Sequence, residues 1–150
     1  MKKSAILLLF SLFFPSWLAA HCQIPCGIYG DEYRFDIMME HVETVRKSTN
    51  EILAISDDTD KNYNQLVRWV NNKELHARKI QDICYDYFLA QRIQASMDHY
   101  VEHLKAAHAV IVHAMKTKQQ ADPDAVDALE SAIQDFRKVY FHGHDHPHKH

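Results

Sequence analysis

Apolar residues recur at helical spacing through most of the chain, and the polar stretches between them divide the pattern into four parts. Phe35, Met38, Val42, Val45, Ile52 and Leu53 approximate one stripe, which predicts a first helix from about Tyr33 to Ile55. Ser56-Asp57-Asp58-Thr59-Asp60 then forms a polar break rich in helix N-cap residues. Tyr63, Leu66, Val67, Val70 and Leu75 predict a second helix running on towards Ile83, Tyr87 and Phe88, with Asn71-Asn72 as a candidate interruption. A third helix is predicted from Ile93 to Lys116, with Met97, Tyr100, Val101, Leu104, His108, Ile111 and Met115 along one side. Asp122-Pro123 pairs an N-cap residue with proline at the first helical position. The fourth helix starts there and runs to about Tyr140, burying Val126, Leu129, Ile133, Phe136 and either Val139 or Tyr140.

The turn-formers reinforce this reading. No glycine lies between Gly30 and Gly143, and no proline between Pro25 and Pro123. A chain so poor in both cannot easily make the many tight turns of a β-protein. Four amphipathic helices with short connections predict an all-α fold, an antiparallel four-helix bundle over residues 32–141. No internal repeat is visible. The formal net charge is −3, with acidic and basic residues interspersed, which gives no sign of a nucleic-acid-binding surface.

The two ends differ from this middle. Lys2 and Lys3 precede an apolar run from Ala5 to Phe14 broken only by Ser11, followed by Pro15 and then Leu18-Ala19-Ala20. Residues 1–20 read as a secretory signal peptide cleaved after Ala20. The alternative, an uncleaved anchor, needs roughly 20 apolar residues to span a bilayer, and Ala5 to Ala20 falls short. A lipoprotein signal needs a small residue where His21 precedes Cys22. The mature chain is therefore expected to be exported, periplasmic or secreted, into an oxidising compartment. About 130 residues then remain, enough for one domain with one core. At the other end, residues 142–150 carry histidine at every second position from His142 to His150. That tail reads as disordered and metal-avid, with an appended tag as the blander alternative.

Cleavage after Ala20 would make His21 the first residue, so that His21-Cys22-Gln23-Ile24-Pro25-Cys26-Gly27-Ile28-Tyr29 opens the mature chain. A free α-amine, an imidazole, two thiols and backbone amides then lie together at a chain end. Mixed nitrogen and thiolate donors in a tetragonal arrangement suit Ni(II) or Cu(II), whereas structural zinc prefers a closed tetrahedron of Cys and His. Pro25 restricts the backbone between the thiols, and Gly27 frees the chain to leave the turn. The spacing of Cys22 and Cys26 also permits a disulfide, but the added His21, Pro25 and Gly27 favour a chelate. Two protein classes fit this hook at residues 21–31: a redox enzyme, or an exported nickel or copper carrier without turnover.

The run His-Cys-x-x-Pro-Cys-Gly-x-Tyr directly after a processed leader resembles the metal hook of the nickel-containing superoxide dismutase family. Asp86-Tyr87-Phe88 resembles that family's second active-site tyrosine segment. The resemblance implies a nickel ion bound by the His21 amine, the Cys22 amide and the Cys22 and Cys26 thiolates, with the His21 imidazole axial in the oxidised state. It implies that Tyr29 and Tyr87 stand over the open face and limit access to small anions. It implies superoxide as substrate, converted to dioxygen and hydrogen peroxide by a Ni(II)/Ni(III) cycle, and a homohexamer of four-helix bundles. Two departures stand out. Gln23 follows the first cysteine where some members carry an acidic residue, and no carboxylate and arginine clearly match those that orient the axial imidazole. Asp36 and Glu40, early on the first helix, are the carboxylates in range of that role.

The remaining candidates have blander readings. Cys84, on an apolar helical segment, reads as a buried free thiol. His99 and His103 lie one helical turn apart but lack a third ligand, and read as a solvated or interfacial pair. His41, His76, His108 and His113 have no local partner signal and read as structural. Met38 and Met39 read as core.

Overall fold

The computed structural model describes residues 30–142. The expected signal peptide, the hook residues His21, Cys22, Cys26 and Tyr29, and the tail beyond His142 lie outside the described residues. Four long helices occupy what is described: α1 (Asp31–Asp57), α2 (Tyr63–Asp82), α3 (Tyr100–Gln119) and α4 (Pro123–His142). A π-helical segment, Ile83–Arg92, continues α2 without a break.

Side-chain pairings fix the topology. Met38 meets Cys84, His41 meets His76 and Ser48 meets Asn72, so α1 and the α2 unit run antiparallel. Lys73 reaches Thr117 and Gln81 reaches the Ile111 carbonyl, which sets α3 antiparallel to α2. Arg46 binds Asp127 while Asp31 binds Tyr140, which closes α4 onto α1. Packing runs around a ring, α1 against α2 and α4, and α3 against α2 and α4. The expected antiparallel four-helix bundle is the fold observed.

The caps follow the sequence. Asn62 Oδ1 accepts from the Gln65 amide at 3.2 Å, and Asp122 Oδ1 accepts from the Asp124 amide at 3.0 Å. Between α1 and α2 the chain turns at residues 58–62, which overlaps the polar break expected at Ser56 to Asp60 and runs two residues past it. α2 passes straight through Asn71-Asn72, because Asn72 spends its amide on Ser48 of α1 instead of on its own backbone.

Two expected faces are corrected. In α2, Tyr63 (68% exposed), Val67 (57%) and Leu75 (52%) look outward, while Lys73, Ala77, Ile80 and Gln81 are buried. In α3 the inner face is His103, Ala107, Val110, Ala114 and Thr117, leaving Val101 and Met115 exposed. Small inward residues let backbones approach closely, and large apolar side chains are then left over the rim. Leu53 is likewise exposed, its place in the α1 stripe taken by Ser48 and Thr49. The third helix also begins later than expected, at Tyr100. Ile93 turns extended (ψ 100) to bury its side chain, and His99 takes a left-handed conformation (φ 56) before α3 starts.

Candidate active site

One end of the bundle gathers the start of α1, the π-helical segment, the start of α3 and the end of α4. Phe35, Phe88 and Phe136 close-pack there, with ring centroids 4.8 to 5.1 Å apart in tilted or edge-on pairs. All three are fully buried, so this end offers a rigid apolar floor.

Tyr87 stands on that floor. The π-helical run closes with the Ile93 amide donating to the Phe88 carbonyl at 2.8 Å, the five-residue spacing of a π turn. Such turns occur often at functional sites. The wide turn buries both Tyr87 and Phe88 although they are adjacent in sequence, and Tyr87 keeps only 1% of its surface. Its hydroxyl donates to Asp31 Oδ1. The other oxygen of the same carboxylate accepts from Tyr140 at 2.7 Å and from Arg92 at 2.8 Å. The guanidinium carbon of Arg34 lies over the Tyr87 ring at 4.9 Å and that of Arg92 at 5.7 Å.

The electrostatics follow from that carboxylate. Burial alone would raise the Asp31 carboxyl, but hydrogen bonds from Arg92, Tyr87 and Tyr140 outweigh it and hold the group below its ordinary value. The phenols shift the opposite way. Burial, then the bond to Asp31, pushes Tyr87 up to about 12, and the same causes raise Tyr140. Both tyrosines are therefore neutral donors at neutral pH, and Asp31 is an anion.

Asp31 is also the first residue of α1, entered through Gly30 at φ 82 and ψ 155. A Cβ at Gly30 would meet no atom within 4 Å, so glycine is required there by conformation and not by space. The segment that precedes Gly30 thus joins the bundle directly beside the Asp31–Tyr87 pair.

A cavity of about 310 Å³ opens along α1 and α2, lined by Arg34, Ile37, His41, Lys79, Asp82, Ile83, Asp86 and Tyr87. Its charges are mixed, and Asp82 is engaged by Arg78 at 2.7 Å. His41 and His76 place their Nδ1 atoms 3.1 Å apart, a partnership across 35 residues that the sequence does not reveal. Burial, then the neighbouring His76 and Lys79 charges, push His41 down to about 4.

The sequence candidates fall into distinct places. Tyr87 is at this site. Asp36 is exposed and bound to Arg137 at 3.1 Å, and Glu40 is exposed further along α1. Cys84 is the buried free thiol expected, its acidity suppressed by burial to a value of about 12. His103 is corrected from the solvated or interfacial reading: it is fully buried, its Nδ1 is 2.8 Å from the His99 carbonyl oxygen, and its ring packs edge-on against Tyr140. Asp31 and Arg92 carry no signal in the sequence, and Tyr140 is marked there only as a candidate core residue of the fourth helix. They lie 56 to 109 residues from the groups they bind or share, and no local spacing connects them.

Among the described residues no three His, Cys, Asp or Glu side chains come together to hold a metal ion. The soft and imidazole donors that the sequence offers for nickel, Cys22, Cys26 and His21, lie outside the described residues. Cys84, buried and held as a thiol, does not compete with them.

The described residues form a helical bundle with a buried tyrosine pair at one end, joined through Gly30 to the segment that carries the soft-donor motif of the sequence. The model of the nickel-containing superoxide dismutase family matches residues 16–144, and the chain belongs to that family. It is accordingly an enzyme, and nickel is its cofactor. No curated protein and no solved structure matches the chain.

Proposed function

We propose that the chain dismutates superoxide at its mature N-terminus, with His21, Cys22 and Cys26 as the nickel ligands and Tyr29 and Tyr87 bordering the open face. The observation that carries this reading is the position of Tyr87. The family-like tyrosine is buried, neutral and fixed to Asp31, the residue at which the hook segment enters the bundle. Bound nickel supplies the one-electron Ni(II)/Ni(III) couple, made accessible by two thiolates and a deprotonated amide.

The residues of the chain supply the rest. The proposed ligand set takes the His21 nitrogen as a free amine, so it requires removal of residues 1–20, and export provides the occasion for it. Tyr87, seated on the Phe35–Phe88–Phe136 floor, narrows the approach to small species. Among the described residues no helix is long and apolar enough to cross a membrane. The exposed apolar side chains Tyr63, Val67 and Leu75 of α2 and Val101 and Met115 of α3 are available for contacts between copies in the proposed homohexamer.

The test is to express the full chain, sequence the N-terminus of the exported product, and measure nickel content with dismutase activity. The expected product begins at His21, holds one nickel per chain and turns over. Cys22→Ser and Cys26→Ser should each abolish turnover, and a precursor retaining residues 1–20 should be inactive with nickel added. A mature protein that binds nickel without turnover would be a carrier, and this reading would be abandoned.

A further inference from the structure

We propose that Asp31 is a positioning residue for Tyr87: its carboxylate, pinned by Tyr140 and Arg92, accepts the hydrogen bond of the Tyr87 hydroxyl and leaves only the phenolic oxygen lone pairs to face a substrate or ordered water. The inference rests on the reading that Tyr87 borders the nickel site. It separates two roles that a tyrosine at such a site can have, donating a proton to nascent peroxide or accepting a hydrogen bond that orders what lies before it.

The geometry decides between them. A phenol has one proton, and that of Tyr87 is committed to Asp31 Oδ1. Bonds to an ionised acceptor are roughly twice as strong as neutral ones, so the proton leaves Tyr87 only by breaking a charge-assisted bond to Asp31. Nor can Asp31 turn away easily. Its second oxygen is held by Tyr140 at 2.7 Å and Arg92 at 2.8 Å, and its backbone is the first residue of α1. Tyr140 is itself fixed, packed edge-on against Phe88 and His103.

The groups around the Tyr87 hydroxyl and ring are Asp31 and Arg34 from α1, Arg92 and Asp86 from the π-helical segment, and Tyr140 from α4. The two arginines favour the phenolate and Asp31 opposes it. Burial and Asp31 prevail, keeping the phenol protonated up to about 12. Tyr87 therefore remains a neutral oxygen acceptor through the working pH range, and the proton for peroxide comes from another group.

The experiment follows the Tyr87 ring by NMR in full-length mature protein carrying ring-¹³C tyrosine, with Tyr87→Phe assigning the signal among the seven tyrosines of the chain. It is run with and without nickel. In the unmutated protein the Tyr87 signal should stay that of a phenol until about pH 12. In Asp31→Asn it should titrate markedly lower, towards the ordinary tyrosine value of about 10. The alkaline limb of the kcat/KM profile should move down with it, and kcat/KM at neutral pH should fall roughly tenfold, the scale of one hydrogen bond to a charged group. Asp31→Glu, which keeps the carboxylate, should recover part of both shifts.

If Tyr87 in the unmutated protein titrates near the ordinary value, the proposal is overturned without recourse to any variant that might misfold. It is equally overturned if Asp31→Asn moves neither the ring titration nor the alkaline limb. Wild-type activity in Tyr87→Phe would instead defeat the placement of Tyr87 at the nickel site, and with it the functional half of this proposal.

Discussion

The two ends of the bundle are built from different materials. Around Asp31 the helices meet through Phe35, Phe88, Phe136 and Tyr140, and the polar groups at the rim are joined into one network. Towards the other end, α1, α2 and α3 bury Ser48, Thr49, Lys73 and Thr117, with Ser48 and Thr117 bonded to their own helices and Lys73 donating to the carbonyls of Thr117, Lys118 and Gln120. A lysine at the C-terminal end of a helix complements its dipole and its unpaired carbonyls. Aromatic packing fixes relative positions tightly, as a site joined to a separate chain segment requires. Buried polar groups contribute less net stability, since burial costs them their hydration.

This contrast predicts the largest effect at the aromatic end. Phe35→Ala should destabilise the folded chain by about 3–5 kcal/mol, the range for a buried phenylalanine whose cavity cannot collapse. Its ring touches Phe88, Phe136 and Tyr140, so the cavity would open beneath the Asp31 network. Urea denaturation measures the loss, and a cost below about 1 kcal/mol would mean that the two ends are not distinct in the way described. At the other end, Lys73→Met should cost less, about 1–3 kcal/mol, by leaving the α3 carbonyls short of a donor. Activity per bound nickel should not change in that variant, because Lys73 is far from Asp31 along both sequence and fold.

The same contrast explains what the sequence could reveal. Helix number, order and the Asp122-Pro123 start are local properties, and each matches the structure. The faces of α1 and α4 are legible, Leu53 apart, because most of their large apolar residues are the buried ones. In α2 and α3 the rule fails, since the helices pack through Ala77, Ala107 and Ala114 and leave Tyr63, Val67 and Met115 outside. Periodicity weighted by side-chain size points to the wrong face when small residues mediate the contact. The family-like run Asp86-Tyr87-Phe88 draws attention to Tyr87 from the sequence. Asp31 was not legible, because its three partners converge only once α1, the π-helical segment and α4 are assembled.

A third expected effect is pH-dependent and lies between the two ends. His41 is held down to about 4 and His76 is lowered as well, burial being the first cause in each. An unfolded histidine takes up its proton near pH 6.5, whereas folded His41 resists until about 4. The folded state should therefore keep the full contribution above about pH 6.5 and lose it progressively as the pH falls to about 4. His41→Gln should flatten the fall in urea midpoint across that window. An unchanged slope would show that the His41–His76 contact does not control it. Asp31 acts in a lower window: its depressed carboxyl adds stability above the ordinary value of about 3.9, and that is lost only as the pH falls further.

The smallest effects should come from the surface arginines that strap α1 to α4. Arg137 bridges Glu32 and Asp36 at the aromatic end, and Arg46 bridges Asp127 and Glu130 towards the other. Most of these groups are well exposed, so solvent screens the attraction and side-chain ordering offsets much of it. Arg137→Gln and Arg46→Gln should each cost no more than about 1 kcal/mol, with the cost shrinking at high salt. Arg46 is the less exposed arginine and its partner Glu130 is partly covered, so its loss should be the larger of the two. Ten residues of helix separate Asp36 from Arg46, about 15 Å at 1.5 Å per residue. At that distance the two straps share no partner, and the double variant should equal the sum of the singles within about 0.5 kcal/mol. A larger discrepancy in paired urea titrations would mean that α1 and α4 part as one unit, so that weakening one end is felt at the other and the Asp31 network depends on the far straps after all.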